Sequence, residues 1–115
     1  MKKWGYNMDE NMNEDVDIIK YKFNEPHLLE EFQEYIKLTY HQHYAGEKKN
    51  QVLEEIIDDG HGMGFCMGNI KKYSGRYGKK NGKNRDDLFK TLHYALLAIY
   101  IHDLERSKKY EQEQN

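Results

Sequence analysis

Apolar residues recur along much of the chain at the three- and four-residue spacing of amphipathic helices. Leu29, Phe32, Ile36 and Tyr40 define a first helix, and Asn24-Glu25-Pro26 ahead of them supply a cap, an acid and an early proline. This helix is expected to end near His43-Tyr44-Ala45-Gly46. After a polar loop, GEKKN, a second helix carries Val52, Leu53, Ile56 and Ile57 and stops at Asp58-Asp59-Gly60, with Gly60 as left-handed cap. A third is predicted from about Met63 to Tyr77. A flexible basic loop, GKKNGKN, follows, and a last helix runs from about Arg85 to Ser107 or beyond, with Asn84 and Asp87 spaced as a cap and its partner. Ahead of all these, VDIIKYKF (16–23) mixes β-branched and aromatic residues with partial alternation. It reads as a short strand or an extended arm lying on a neighbour, because a single strand is not stable alone. The predicted fold is therefore all-α: a compact bundle of about four helices, with a flexible or extended N-terminal arm over 1–24. A single helical domain covers 25–110 and a frayed tail 111–115.

In the last helix, YALLAIYI is apolar on nearly every side, so it is either buried all round or faces another chain. Composition decides between these. Of 115 residues only 37% are hydrophobic and 33% are charged, which favours a partner chain and predicts a homo-oligomer built through the C-terminal helix. No apolar run approaches the roughly eighteen residues of a membrane span, and the opening MKKWGYNMDE lacks the apolar region of a secretory leader. The one cysteine, Cys66, excludes an intramolecular disulfide and a cysteine-based zinc site, and suits a reducing cytoplasm.

The net charge of −2 hides a local excess: Lys71, Lys72, Arg76, Lys79, Lys80, Lys83 and Arg85 follow one another with no acid among them. Such a patch fits a small anionic ligand better than long nucleic acid, which usually meets a wider basic surface. By charge alone, a solvated basic loop fits equally well.

On a helical wheel the third helix separates into three strips. Met63, Cys66, Met67, Ile70 and Tyr77 form the expected core face. Asn69, Lys72, Tyr73 and Arg76 share a second face, and Gly64, Gly68 and Gly75 a third. Each interior glycine costs about 1 kcal/mol relative to alanine, so three on one side need a reason. Close packing of another helix is one; access of a ligand to the backbone beside the cations is the other. Asn69 offers an amide, Lys72 a point charge and Arg76 a planar fork that matches phosphate bidentately. Tyr73 can stack on a base. Together they describe a site for a phosphate attached to something planar. Upstream, GHGMG could aim backbone N–H groups at an anion, although no Gly-Lys-Ser/Thr follows and a turn is the simpler reading of Gly60 and Gly62.

His43-Tyr44, the acidic-aliphatic EEIID at 54–58, FCMGNIKKYSGRYGKK and DDLFKTLHYAL together resemble a small family of uncharacterised tailed-phage proteins. Its pattern falls here on His43, Tyr44, Glu54, Gly68, Asn69, Lys72, Tyr73, Arg76, Lys80, Asp87, Leu88, Lys90 and Tyr94, with Thr91 where an alanine is usual. A phage nucleotide kinase without a Walker loop is similar to this family. The resemblance implies nucleotide handling and oligomeric assembly in an infected host's cytoplasm. Binding would use His43, Tyr44, Gly68, Asn69, Lys72, Tyr73, Arg76 and Lys80; it assigns no catalytic residue.

A second constellation competes. Glu31 and Glu34, then Glu55 and Asp58, resemble the paired carboxylates of all-α nucleoside triphosphate pyrophosphohydrolases, which hold magnesium. An exposed acidic helix face explains them as well. The six histidines show no helical metal-ligand spacing. Three functions follow as expectations. One is a nucleoside monophosphate kinase using ATP with Mg²⁺. Another is a non-catalytic sponge that sequesters a host nucleotide immune signal, slightly favoured by the lack of an evident acid beside the Asn69 face. The third is a Mg²⁺-dependent pyrophosphohydrolase.

Overall fold

The computed structural model describes residues 19–43 and 47–114. Its described residues form four helices and no strand: α1 (Glu25–His43), α2 (Glu47–Asp58), α3 (Gly62–Arg76) and α4 (Arg85–Gln114). The all-α reading holds. Two details differ from the pattern-based expectation. GEKKN is not a loop through Asn50, because α2 already begins at Glu47. The tail expected to fray, 111–115, is helical over its described part, where α4 continues to Gln114. The latter stretch is Glu-Gln-Glu-Gln, good helix formers that propagate an existing helix even with no core to face.

The chain divides into two units, Met1–Glu31 and Phe32–Asn115. In the first, the described part of the arm, 19–24, forms no strand and bends at Lys22-Phe23; the start of VDIIKYKF lies outside the described residues. Asn24 adopts φ 62°, a left-handed conformation that asparagine tolerates better than most residues. The Leu28 N–H donates to its carbonyl at 3.0 Å, and the Phe23 N–H to Glu25 Oε1 at 2.9 Å. Pro26 sits in the first turn, where its missing N–H leaves no helical bond unmade.

In the second unit α3 and α4 pack against each other most extensively, and α2 packs more lightly on α3. The pair is antiparallel: Arg76 meets Asp87, Tyr73 meets Tyr94, and Gly62 meets Ile101. Among the described residues, the buried apolar side chains are Phe32, Cys66 and Ile101. The rest of α1 reaches α4 through aromatic rings. Phe32 and Tyr35 stack on Phe89 with centroids 6.0 and 5.4 Å away, and His93 stands edge-on to both.

Of the described glycines, Gly62 is the most tightly packed. A Cβ there would lie 3.0 Å from Ile101 Cδ1 and 3.1 Å from Ile57 Cγ1. Two helices and the start of a third can meet only because that atom is absent. The simpler turn reading fits Gly60, at φ 85°, but not Gly62, which opens α3.

The basic loop between α3 and α4 is closed by backbone hydrogen bonds: Gly78 N–H to Gly82 O at 2.9 Å, and Lys79 and Lys80 N–H to Arg76 O at 2.9 and 3.2 Å. Gly78, Asn81 and Gly82 all take positive φ, which lets the chain reverse in so short a span. Asn84 then caps α4, its Oδ1 accepting the Asp86 N–H at 3.0 Å.

One face of α4 stays uncovered within the described residues: Leu88, Leu92, Leu96, Ile99 and Tyr100 are all exposed, Ile99 at 55%. On the helical wheel Leu88, Leu92, Leu96 and Ile99 lie opposite the side that meets α3. Apolar residues on nearly every side therefore do not mean burial on every side.

This packing also changes the titration of His93. Enclosed by Phe32, Tyr35 and Tyr94, its pKa is held below the ordinary 6.5 because burial disfavours the imidazolium. The unfolded chain therefore takes up this proton first as pH falls. Stability is fully present above 6.5 and is lost as pH drops from there through the lowered folded value. Denaturant midpoints at pH 7.5 and 5.5 are expected to differ more in the parent than in His93→Leu. An equal difference in both proteins would remove His93 as the cause.

Candidate functional site

The cation face of α3 is completed by α4. Lys72 Nζ lies 4.9 Å from the Tyr73 ring centroid, Arg76 Cζ 4.8 Å, and Lys90 Nζ from α4 5.1 Å. The Tyr73 ring stacks nearly parallel on Tyr94, with centroids 5.9 Å apart, and Phe65 meets the edge of Tyr94 at 5.8 Å. Three cations thus converge on one aromatic ring fixed by a second. The negative faces of the π-system offset part of their mutual repulsion, by about 0.5–1 kcal/mol per contact at exposed sites.

Beneath them lies an acid. Arg76 Nε donates to Asp87 Oδ1 at 3.2 Å. Asp87 is 1% exposed, and its Oδ2 has no hydrogen-bond partner among the described residues. Asp87 is the third residue of α4, where the Asn84 spacing suggested a reciprocal cap. Its carboxylate turns inward to Arg76 instead, and the Asn84 N–H donates to Gly82 O at 3.1 Å. Asp87, Lys90 and Tyr94 share the α3-facing side of α4 at helical spacing, a signal that the wheel of α3 alone misses.

The other residues singled out from the sequence are placed as follows. Asn69 is half-buried and donates Nδ2 to Phe65 O at 2.9 Å, which uses one of its amide hydrogens within α3. Gly68 is exposed on α3, and Lys80 is exposed in the closed loop. The side chain of His43, at the end of α1, and the whole of Tyr44 lie outside the described residues. Glu34 pairs with Lys37 at 3.3 Å on an exposed face, and Glu55 and Asp58 are exposed. Glu31, Glu34, Glu55 and Asp58 are not gathered: no group of three or more His, Cys, Asp or Glu residues able to hold a metal ion occurs among the described residues.

The core face of α3 is rotated from the expected arc. Cys66 is fully buried and Gly62 is buried, but Met67 and Tyr77 are exposed. Burial raises the pKa of the Cys66 thiol, which keeps it protonated and unreactive. The glycine strip has no close neighbour among the described residues: a Cβ on Gly64, Gly68 or Gly75 would meet none of their atoms within 4 Å. Packing among the described helices therefore does not account for it. Gly64→Ala should raise stability by about 0.5–1 kcal/mol in a denaturant titration, since helix propensity is gained with nothing to displace. Gly68→Ala should show the same gain. If the strip borders a ligand, it alone of the two should weaken binding, because it stands beside Lys72.

The profile of a family described as "Protein of unknown function (DUF3310)" matches residues 38–96. That span holds α3, the closed loop and the part of α4 bearing Asp87, Lys90 and Tyr94. No curated protein and no solved structure matches the chain.

Proposed function

The chain belongs to the DUF3310 family, and on that premise we propose that it binds the phosphate of a nucleotide or nucleotide-derived ligand on the cation face of α3. The observation that carries this is the convergence of Lys72, Arg76 and Lys90, from two helices, within about 5 Å of one tyrosine ring. Cations gathered so closely repel one another in the free protein, and a polyanion relieves that repulsion. Arg76 supplies the planar fork and Lys72 and Lys90 point charges; Gly68 leaves the helix backbone open beside them.

Of the catalytic and non-catalytic readings, the nucleoside monophosphate kinase comes first. Its resemblance to a phage nucleotide kinase without a Walker loop supports it. Positioning and positive charge are most of what phosphoryl transfer requires of a protein. The sponge gained support from the lack of an acid beside this face, and Asp87 now stands there. Mg²⁺ would enter with ATP as substrate. The ungathered carboxylates give the pyrophosphohydrolase no support. The same resemblance supports a role in the cytoplasm of a phage-infected cell. The exposed Leu88, Leu92, Leu96 and Ile99 face of α4 supports a homo-oligomer formed through that helix.

The test is product analysis. Purified protein is incubated with nucleoside mono- and triphosphates and cyclic nucleotides, with and without ATP and Mg²⁺. A phosphorylated monophosphate with release of ADP is the expected result. Ligand recovered intact after heating the protein would favour the sponge, and released pyrophosphate the hydrolase. Lys72→Ala and Lys90→Ala are each expected to weaken binding about tenfold, the scale of one charge-assisted contact. Unchanged binding in both would remove the site.

A further inference from the structure

The Arg76–Asp87 pair is built in an unusual way. A guanidinium and a carboxylate meeting freely tend to form two parallel bonds. Here only Nε is engaged, at 3.2 Å, while Oδ2 stays buried and without a partner among the described residues. A single-point contact leaves stability unclaimed on both sides. The acid keeps an unsatisfied oxygen in a dry place, which is costly. The arginine keeps its terminal nitrogens out of the pair, and its Cζ stays 4.8 Å from the Tyr73 ring centroid. Burial is lopsided in the same sense: the Asp87 side chain is 2% exposed and that of Arg76 24%. The acid sits below and the guanidinium spans from it toward the surface.

We propose that Asp87 is the positioning residue of this site. It holds Arg76 by Nε alone and so presents the two terminal nitrogens, as a preset fork, to a tetrahedral phosphate lying between Lys72 and Lys90. The inference rests on the phosphate-binding reading above and adds to it a residue that touches no ligand. A flexible arginine would lose side-chain freedom on binding; one already held by a buried acid has given most of it up on folding. The unsatisfied Oδ2 is then a stability cost kept for function.

Asp87→Asn separates this role from a structural one. The amide keeps the shape and an oxygen facing Nε but removes the buried charge. Melting temperature and calorimetric binding of inorganic pyrophosphate are measured on the full chain for the parent, Asp87→Asn, Arg76→Lys, the Asp87→Asn/Arg76→Lys double variant and Lys90→Ala. The expected result is an Asp87→Asn protein that melts no lower than the parent yet binds pyrophosphate about tenfold or more weakly, the scale of a lost charge-assisted contact. Its loss should not add to that of Arg76→Lys, because both variants spoil the same fork. Parent-like pyrophosphate binding by Asp87→Asn, with Lys90→Ala weakened, would overturn the positioning role and leave the phosphate site standing. No pyrophosphate binding by the parent, or parent-like binding by Lys90→Ala, would overturn the site and with it this role. If Asp87→Asn does not fold, Arg76→Lys decides: parent-like binding without the fork overturns the proposal, and a loss of about tenfold or more supports it.

Discussion

Arg76→Ala lowers the stability of the protein by about 3 kcal/mol, the low end for breaking a buried ion pair, because it leaves the Asp87 carboxylate in the interior with no cation. The Arg76 side chain is 24% exposed, so water can enter where it is removed, which keeps the cost at that low end. The loss would be read as a shift of the denaturant midpoint. Adding Asp87→Asn to Arg76→Ala is expected to restore most of it, since the buried group is then neutral and its desolvation cost falls. The double variant should still fail to bind phosphate. A double variant no more stable than Arg76→Ala would show that the uncompensated charge is not the cause. This outcome also bears on how the site is probed. Loss of binding in Arg76→Ala alone mixes destabilisation with loss of the fork, whereas Lys72 is exposed, Lys90 is half-buried, and neither covers a buried acid.

Ile101→Ala is expected to cost about 3 kcal/mol, within the range for truncating a buried isoleucine. Ile101 is 2% exposed, and its Cδ1 fills the space that the missing side chain of Gly62 leaves between α2, α3 and α4. Ile101→Val should cost about 1 kcal/mol, as one methyl is lost. The two positions are coupled. In the parent, Gly62→Ala brings a methyl within 3.0 Å of Ile101 Cδ1 and is expected to destabilise. In Ile101→Val that atom is gone, so the same substitution should be tolerated better. Equal effects of Gly62→Ala in both backgrounds would mean that Ile57, at 3.1 Å, and not Ile101, sets the limit.

Much of the local structure was legible in the pattern of residues. The last two helix starts, the left-handed Gly60 and the Asn84 cap follow from short-range rules, in which a residue and its neighbours within a turn carry the whole physical cause. The sharing of one α3 face by Asn69, Lys72, Tyr73 and Arg76 follows from helical period alone. The core face was read less well. Met67 and Tyr77 lie on an arc as apolar as the one that is buried, and a period does not say which of two apolar arcs meets the neighbour. Gly62 was misread for a related reason: a glycine near a turn signal suggests a turn, but this one marks contact with Ile101, thirty-nine positions along the chain.

By itself the sequence determined an all-α protein with a cationic, aromatic and glycine-bearing third helix, because helix formation and facial sorting are local matters of spacing and propensity. Only the tertiary structure decided that Lys90 joins Lys72 and Arg76 around Tyr73, and that Asp87 abandons the cap of its own helix to hold Arg76 from beneath. The register of two antiparallel helices makes those pairings. That register depends on how the loop between them closes, through the positive φ angles of Gly78, Asn81 and Gly82, and on how near α3 can come to Ile101 at Gly62. The second is a contact between residues far apart in sequence, and periodicity within a single helix carries no record of either.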